Sequence, residues 1–224
     1  MFGRARAHLV VFALLTLTAV GGCSKCNGGK QDTDNVQTTP PLNPTTWVIA
    51  EESVVRFSAT KAPEQKVSGS IGGVSGTITF DPKVPTAASG VIEVELGSVI
   101  TGDDERDKNI RDTFFEVAKE GFGTATFKLS GIETDATEFP QGSTITGTVK
   151  GQLLFHGRAS LMAIQMTFER RDNVITATST GGFIIQVGDW ELGMAHKALA
   201  AVCGHEELSE NFPVTLEFVL KGNG

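Results

Sequence analysis

The chain reads as an all-β protein, a sandwich or an up-and-down barrel, on three observations. Its body alternates apolar and polar residues with period two in segment after segment. Turn signals such as Asp81-Pro82, Pro140 to Gly142 and Arg171-Asp172-Asn173 separate those segments. No helical crossover pattern stands between successive segments, so neighbouring strands are joined as hairpins.

The N-terminal residues stand apart from this pattern. Arg4 and Arg6 precede an apolar run from Leu9 to Val20, twelve residues long. A helix spanning a bilayer core needs about 20 apolar residues, so the run reads as the h-region of a secretory signal. The junction Val20-Gly21-Gly22-Cys23 resembles the bacterial lipoprotein box, in which the cysteine is acylated and becomes the first residue. Residues 1–22 are thus expected to be a lipoprotein signal peptide and Cys23 the lipid attachment site. Ser24, in place of Asp, resembles the pattern sorted to the outer membrane, facing the periplasm. Residues 23–45 are rich in Asn, Gln, Thr, Gly and Pro, with Val36 and Leu42 as their aliphatic side chains. Such a segment buries too little surface to offset its ordering entropy and reads as a disordered tether. Pro40, Pro41 and Pro44 stiffen its far end.

Residues 46–224 carry the folded domain, and its strands follow in order. Trp47 to Thr60 and Lys66 to Phe80 open it. In Val91 to Leu96, Glu93 and Glu95 alternate with Ile92, Val94 and Leu96. Thr124 to Leu129 sets Ala125, Phe127 and Leu129 against Thr124, Thr126 and Lys128. Ile145, Val149 and Leu153 alternate with Thr146, Thr148, Lys150 and Gln152. Ser160 to Phe168 places Met162, Ile164, Met166 and Phe168 on one face, and Asn173 to Ile185 follows. The closing strand sets Val214, Leu216, Phe218 and Leu220 against Thr215, Glu217 and Lys221. The count is about eight, each with one wet face, which is the antiparallel signature. Two stretches have helical spacing instead. In Thr101 to Gly121 a Thr101/Asp104 capping pair precedes Ile110, Phe114, Val117 and Ala118 on one face, with Gly121 as the terminating glycine. Leu192 to Leu208 places Leu192, Ala195, Leu199 and Val202 in register.

The charge balance excludes some functions. The formal charge of the 224 residues is −7, and loss of Arg4 and Arg6 with the signal lowers it to −9. An acidic body lacks the basic footprint of a nucleic-acid binder. The domain is expected to meet a membrane through its acyl anchor.

Catalytic and metal motifs are weak. His196, Cys203 and His205 are the one group that could share a metal, but their spacing matches no standard zinc pattern. Surface histidines beside a small buried thiol are the expectation, and Cys26 and Cys203 are expected to remain unpaired thiols, with a disulfide left open. The run Asp103-Asp104-Glu105-Arg106-Asp107 departs from a calcium loop at Lys108 and Phe114, and reads as favourable charge at a helix N-terminus. There is no G-x-S-x-G elbow, P-loop or dinucleotide fingerprint. The chain is therefore expected not to be an enzyme and to need no cofactor.

An ordered series of blocks resembles the YceI-like family. It runs through Trp47-Val48-Ile49, Ser53 to Phe57, Val67-Ser68-Gly69 and Gly76 to Asp81. It continues through Ser98 to Thr101, Arg106 to Phe115, Ala125-Thr126-Phe127, Gly151 to Gly157 and Asp189-Trp190. The resemblance implies an eight-stranded antiparallel lipocalin-like barrel with one or two short helices, holding a long isoprenoid or quinone-type lipid. The chain departs from the family pattern at Ala50, Glu52, Asn109 and Val187, and from Met194 to Asn211 it looks longer.

The expected function is that of a lipid-anchored carrier or reservoir for an apolar chain. Phe80, Val94, Phe114, Phe115, Phe127, Met162, Ile164, Met166, Phe168, Phe183, Leu216 and Phe218 are the residues expected to line the ligand, with the Leu192 to Leu208 helix as a lid. The alternatives are an envelope interaction protein with a side-chain-filled barrel, and a metal enzyme built on His196, Cys203 and His205. A homodimer stays open.

Overall fold

Ten strands in a computed structural model, which describes residues 43–61, 65–204 and 207–222, close into a ring of eight positions. The signal segment, Cys23, Cys26, nearly all of the tether and His205 lie outside the described residues. The strands are β1 (Thr45–Ile49), β2 (Val54–Lys61), β3 (Gln65–Asp81), β4 (Val84–Ile100), β5 (Thr124–Glu133), β6 (Thr144–Phe155), β7 (Arg158–Arg171), β8 (Val174–Ser179), β9 (Phe183–Gln186) and β10 (Asn211–Gly222). Every pairing is antiparallel, and β2 through β8 pair in chain order. The last strand closes the ring between β2 and β8. The all-β barrel expectation thus resolves in favour of a closed barrel over a sandwich.

Ten strands fill eight positions because two positions are broken. β1 and β2 share one: β2 pairs with β10 at Val214 to Glu217, and β1 with its end at Leu220 to Gly222. β8 and β9 share the other, on the opposite edge of β10. A break leaves backbone groups of the neighbouring strand without a ladder partner, and a buried orphan is costly. Two buried serines fill these places. Ser53 Oγ accepts from Val219 N at 3.0 Å and donates to Val219 O at 3.3 Å. Ser179 Oγ accepts from Leu216 N at 3.0 Å.

The long β3–β4 hairpin needs one glycine in particular. Gly76 has φ +137°, and a Cβ there would sit 2.1 Å from the Val91 carbonyl oxygen. Only a residue without a side chain permits that approach.

Two apolar clusters fill the two ends of the barrel. At one end Trp47 stacks on Phe80 with centroids 5.6 Å apart, and Phe80 meets Phe139 at 6.5 Å. Phe139 belongs to the β5–β6 loop, which is drawn across this end by Phe139 N to Pro82 O at 2.6 Å and Arg170 Nη1 to Phe139 O at 2.7 Å. Helical segments close much of the other end.

Both helix expectations need correction. Residues 101 to 121 do not form one helix: α1 covers Asp104–Asn109, and a π-helical turn, Ile110–Phe114, follows. Asp103, rather than Thr101, is the cap, its side chain accepting from Arg106 N at 2.9 Å. Thr101 is instead held by the buried Asp107, whose Oδ1 accepts from Thr101 N at 2.8 Å. Gly121 has φ +81° but lies in turns well past the last helical residue. The second helix, α2, is shorter than expected, Gly193–Val202, and is preceded by a 3₁₀ turn over Val187–Trp190. Leu208 lies outside it, in an isolated bridge to Lys61. The π turn has a plain consequence. Phe115 N bonds to Ile110 O at 2.8 Å, five residues back, and the extra residue lets adjacent Phe114 and Phe115 both point inward.

Candidate ligand cavity

The inward faces of the strands enclose a cavity of about 290 Å³ between the two clusters. Val55, Val94 and Met162 pack against both clusters and so mark its middle. Along β6 its lining runs from Ile145 to Phe155. At about 3.3 Å per residue and a strand tilt of roughly 40°, that is about 25 Å along the barrel axis. The lining is apolar along nearly all of this span.

All twelve residues selected from the sequence stand on this wall. Phe80, Phe114, Phe115, Ile164, Met166, Phe168 and Phe218 are buried. Val94, Phe127, Met162, Phe183 and Leu216 face inward yet are only partly buried, because the space in front of them is open. Two methionines among them supply unbranched, adaptable surface. The strand pattern brings these residues together in a simple way: alternation sends every second side chain inward, and ring closure turns eight inward faces onto one axis.

The described wall residues include no Ser, Thr, Asp, Glu or His. Its polar members are Lys61, Arg106 and the thiol of Cys203. The wall can therefore bury hydrocarbon, but it offers neither a carboxylate nor an imidazole for acid–base work.

Around one end of the cavity the lining residues become half-exposed: Phe57, Ala59 and Lys61 on β2, Val67 on β3, Arg106 on α1, then Cys203 and Leu208 beyond α2. These residues form the rim. Sequence reasoning overlooked Lys61 and Arg106. Lys61 continues the period-two row Phe57, Ala59, and that signal places it on the inner face. Arg106 was hidden within a run of charges. Cys203 also lines the cavity and is half-buried rather than buried.

The histidine expectation is also corrected. His196 is buried, not on the surface, and its Nε2 lies 3.1 Å from Ser209 O. It thereby ties α2 to the segment that enters β10. His156 lies 3.0 Å from Glu116 Oε2, joining the β6–β7 turn to the loop after the π turn. Lys119, and after it His156, holds the Glu116 carboxyl below its ordinary range.

Comparison with known proteins agrees with this architecture. The YceI-like domain description matches residues 47–220. A UPF0312 protein of Vibrio cholerae serotype O1 is 29% identical over 114 residues, which is 51% of this chain and 56% of that relative. The chain thus spans about half the length of the curated relatives it matches. Among solved structures, a polyisoprenoid binding domain from Saccharophagus degradans is 20% identical with a TM-score of 0.68, covering 80% of this chain and 99% of that one. A Campylobacter jejuni YceI protein is 18% identical with a TM-score of 0.55, covering 71% and 86%. At such identities the likeness is one of fold, a lipocalin-like antiparallel barrel.

Proposed function

This chain belongs to the YceI-like family, and from that premise we propose that it holds one long apolar chain, an isoprenoid or quinone-type lipid, inside its barrel as carrier or reservoir. The observation that carries the reading is the hollow itself: a wall of Phe, Ile, Leu, Val and Met running much of the barrel's length. The binding domain of Saccharophagus degradans, similar in fold, is described as polyisoprenoid-binding, which supports the same ligand class here. Binding draws its free energy from hydrocarbon removed from water, about 0.8 kcal/mol for each buried methylene. The rival reading of a side-chain-filled barrel is disfavoured by the cavity.

We further propose that residues 1–22 export the protein, that Cys23 is acylated, and that residues 23–45 let the barrel stand off the outer membrane on its periplasmic side. The signal-like run and the cysteine box support this part.

Native mass spectrometry tests the ligand reading. The protein is stripped of lipid, then offered a polyprenol and a ubiquinone. A one-to-one adduct with either is the expected outcome; no adduct with both would sink the carrier idea.

A further inference from the structure

Among the described residues the cavity wall carries charge only at its rim. Among all the described residues lining it, Lys61 and Arg106 are the charged ones, and both are cations. The chain has 26 acids against 19 Lys and Arg, so chance placement would favour carboxylates. Both cations belong to the same stretch of rim. Arg106 Nε donates to Thr101 Oγ1 at 2.7 Å and its Nη2 to Thr101 O at 2.9 Å. Thr101 in turn stands beside Phe57, since a Cβ on Gly69 would touch both the Phe57 ring and Thr101 Cγ2. From Phe57 to Lys61 is four residues of β2, roughly 13 Å of strand, and Ala59 between them faces the same way.

Arg106 is held in position before any ligand arrives. Two of its nitrogens are occupied by Thr101, whose N–H and hydroxyl are both donated to the buried Asp107. Asp103 is turned to the α1 backbone, accepting from Arg106 N. Among the described residues the third guanidinium nitrogen, Nη1, has no protein partner, so the fork keeps one donor group for the rim. Lys61, at the end of its strand, supplies a flexible point charge to the same lining. A half-buried cation loses hydration when a ligand covers it, and an anionic oxygen offsets the loss more strongly than a neutral acceptor does.

We infer that the chain taken up by this barrel carries an acidic head, a carboxylate or phosphate, held at the rim by Lys61 and Arg106. The inference rests on the reading that the cavity holds a long apolar chain. It separates acidic-headed lipids from neutral quinones and alcohols, which fill the hollow equally well but bring no anion to Lys61 and the remaining Nη1 of Arg106.

Three ligands of equal chain length test it on the full protein: hexadecanoate, hexadecyl phosphate and hexadecanol, each displacing a neutral fluorescent probe at mildly alkaline pH. The tighter of the two acids binds at least about tenfold better than the alcohol, the smallest advantage that one charge-assisted hydrogen bond supplies. Which acid binds tighter identifies the head. Lys61→Met and Arg106→Gln each lower the acid-to-alcohol ratio at least roughly threefold. Should Arg106→Gln disrupt the Thr101 network and fail to fold, Lys61→Met, at a half-exposed strand end, carries the test. Equal binding of acids and alcohol, or an unchanged ratio in the folded variants, overturns the acidic head and leaves the carrier reading standing. Failure of all three ligands to bind overturns the acidic head, and the polyprenol and ubiquinone adducts then decide the carrier reading.

Discussion

Replacing Ser53 by Ala tests how the barrel tolerates its broken strands. Ser53 is 1% exposed, and its hydroxyl is bonded to both backbone groups of Val219. Val219 O also accepts from Ala50 N at 2.8 Å and so keeps a partner in the variant. Val219 N has no such reserve, and so little of Ser53 is exposed that water cannot readily take its place. Leaving one buried donor unsatisfied costs about 1–3 kcal/mol. The expected loss is therefore about 2 kcal/mol, with little compensation from removing one hydroxyl. For a domain of this size that corresponds to a fall in Tm of roughly 4–8 °C. Urea unfolding followed by tryptophan fluorescence measures it, with an unchanged m value showing that the native state kept its compactness. Amide exchange adds a local reading: the Val219 N–H loses protection while β5 and β6 keep theirs. A loss below about 0.5 kcal/mol, typical of an ordinary surface substitution, would refute the account of Ser53 as a ladder substitute.

Asp81 gives a pH-dependent expectation. Its Oδ2 accepts from Asn43 N at 2.7 Å and its Oδ1 from Lys83 N at 2.8 Å, and the first of these does most to hold the carboxyl below its ordinary range. A carboxyl lowered in the folded state stabilises above its unfolded pKa and ceases to as pH falls through the folded one. The Tm difference between wild type and Asp81→Asn is thus full at neutral pH and closes on acidification; a gap constant across the acid range contradicts it. Cys23→Ala moves the protein from the membrane to the soluble fraction of a Gram-negative host, and equal fractionation of both forms refutes the acyl anchor.

Much of the cavity was legible because alternation reports which side of a strand faces inward. Met162, Ile164, Met166 and Phe168 could be read as one row of β7, and all four line the hollow. Closure is a different kind of information. That β10 pairs with β2 on one edge and β8 on the other is a long-range register, invisible to any local window. The breaks between β1 and β2 and between β8 and β9 were equally hidden, since Ser53 and Ser179 look like ordinary polar strand residues until the orphan amides opposite them are located. The helix expectation over residues 101 to 121 failed for a related reason. Helical spacing accommodates Ile110 and Phe114 on one face but leaves Phe115 off it, and the π turn recovers that burial by departing from the period. His196 misled because a histidine carries no mark of its surroundings; its burial comes from α2 packing toward Phe212, 6.3 Å away between ring centroids.

The role of β10 bears on how the polypeptide acquires its shape. It joins β1 and β2 on one edge and β8 and β9 on the other, and it follows all nine other strands in the chain. As synthesis proceeds, those nine have nothing to complete the circle, and the sheet remains a curled ribbon with two raw borders. Sealing brings together groups as far apart as Ser53 and Val219, separated by 166 residues, so it is both late and slow. Until then the greasy inner surface and the unpaired borders are open to neighbours, and accidental association is most dangerous in that interval.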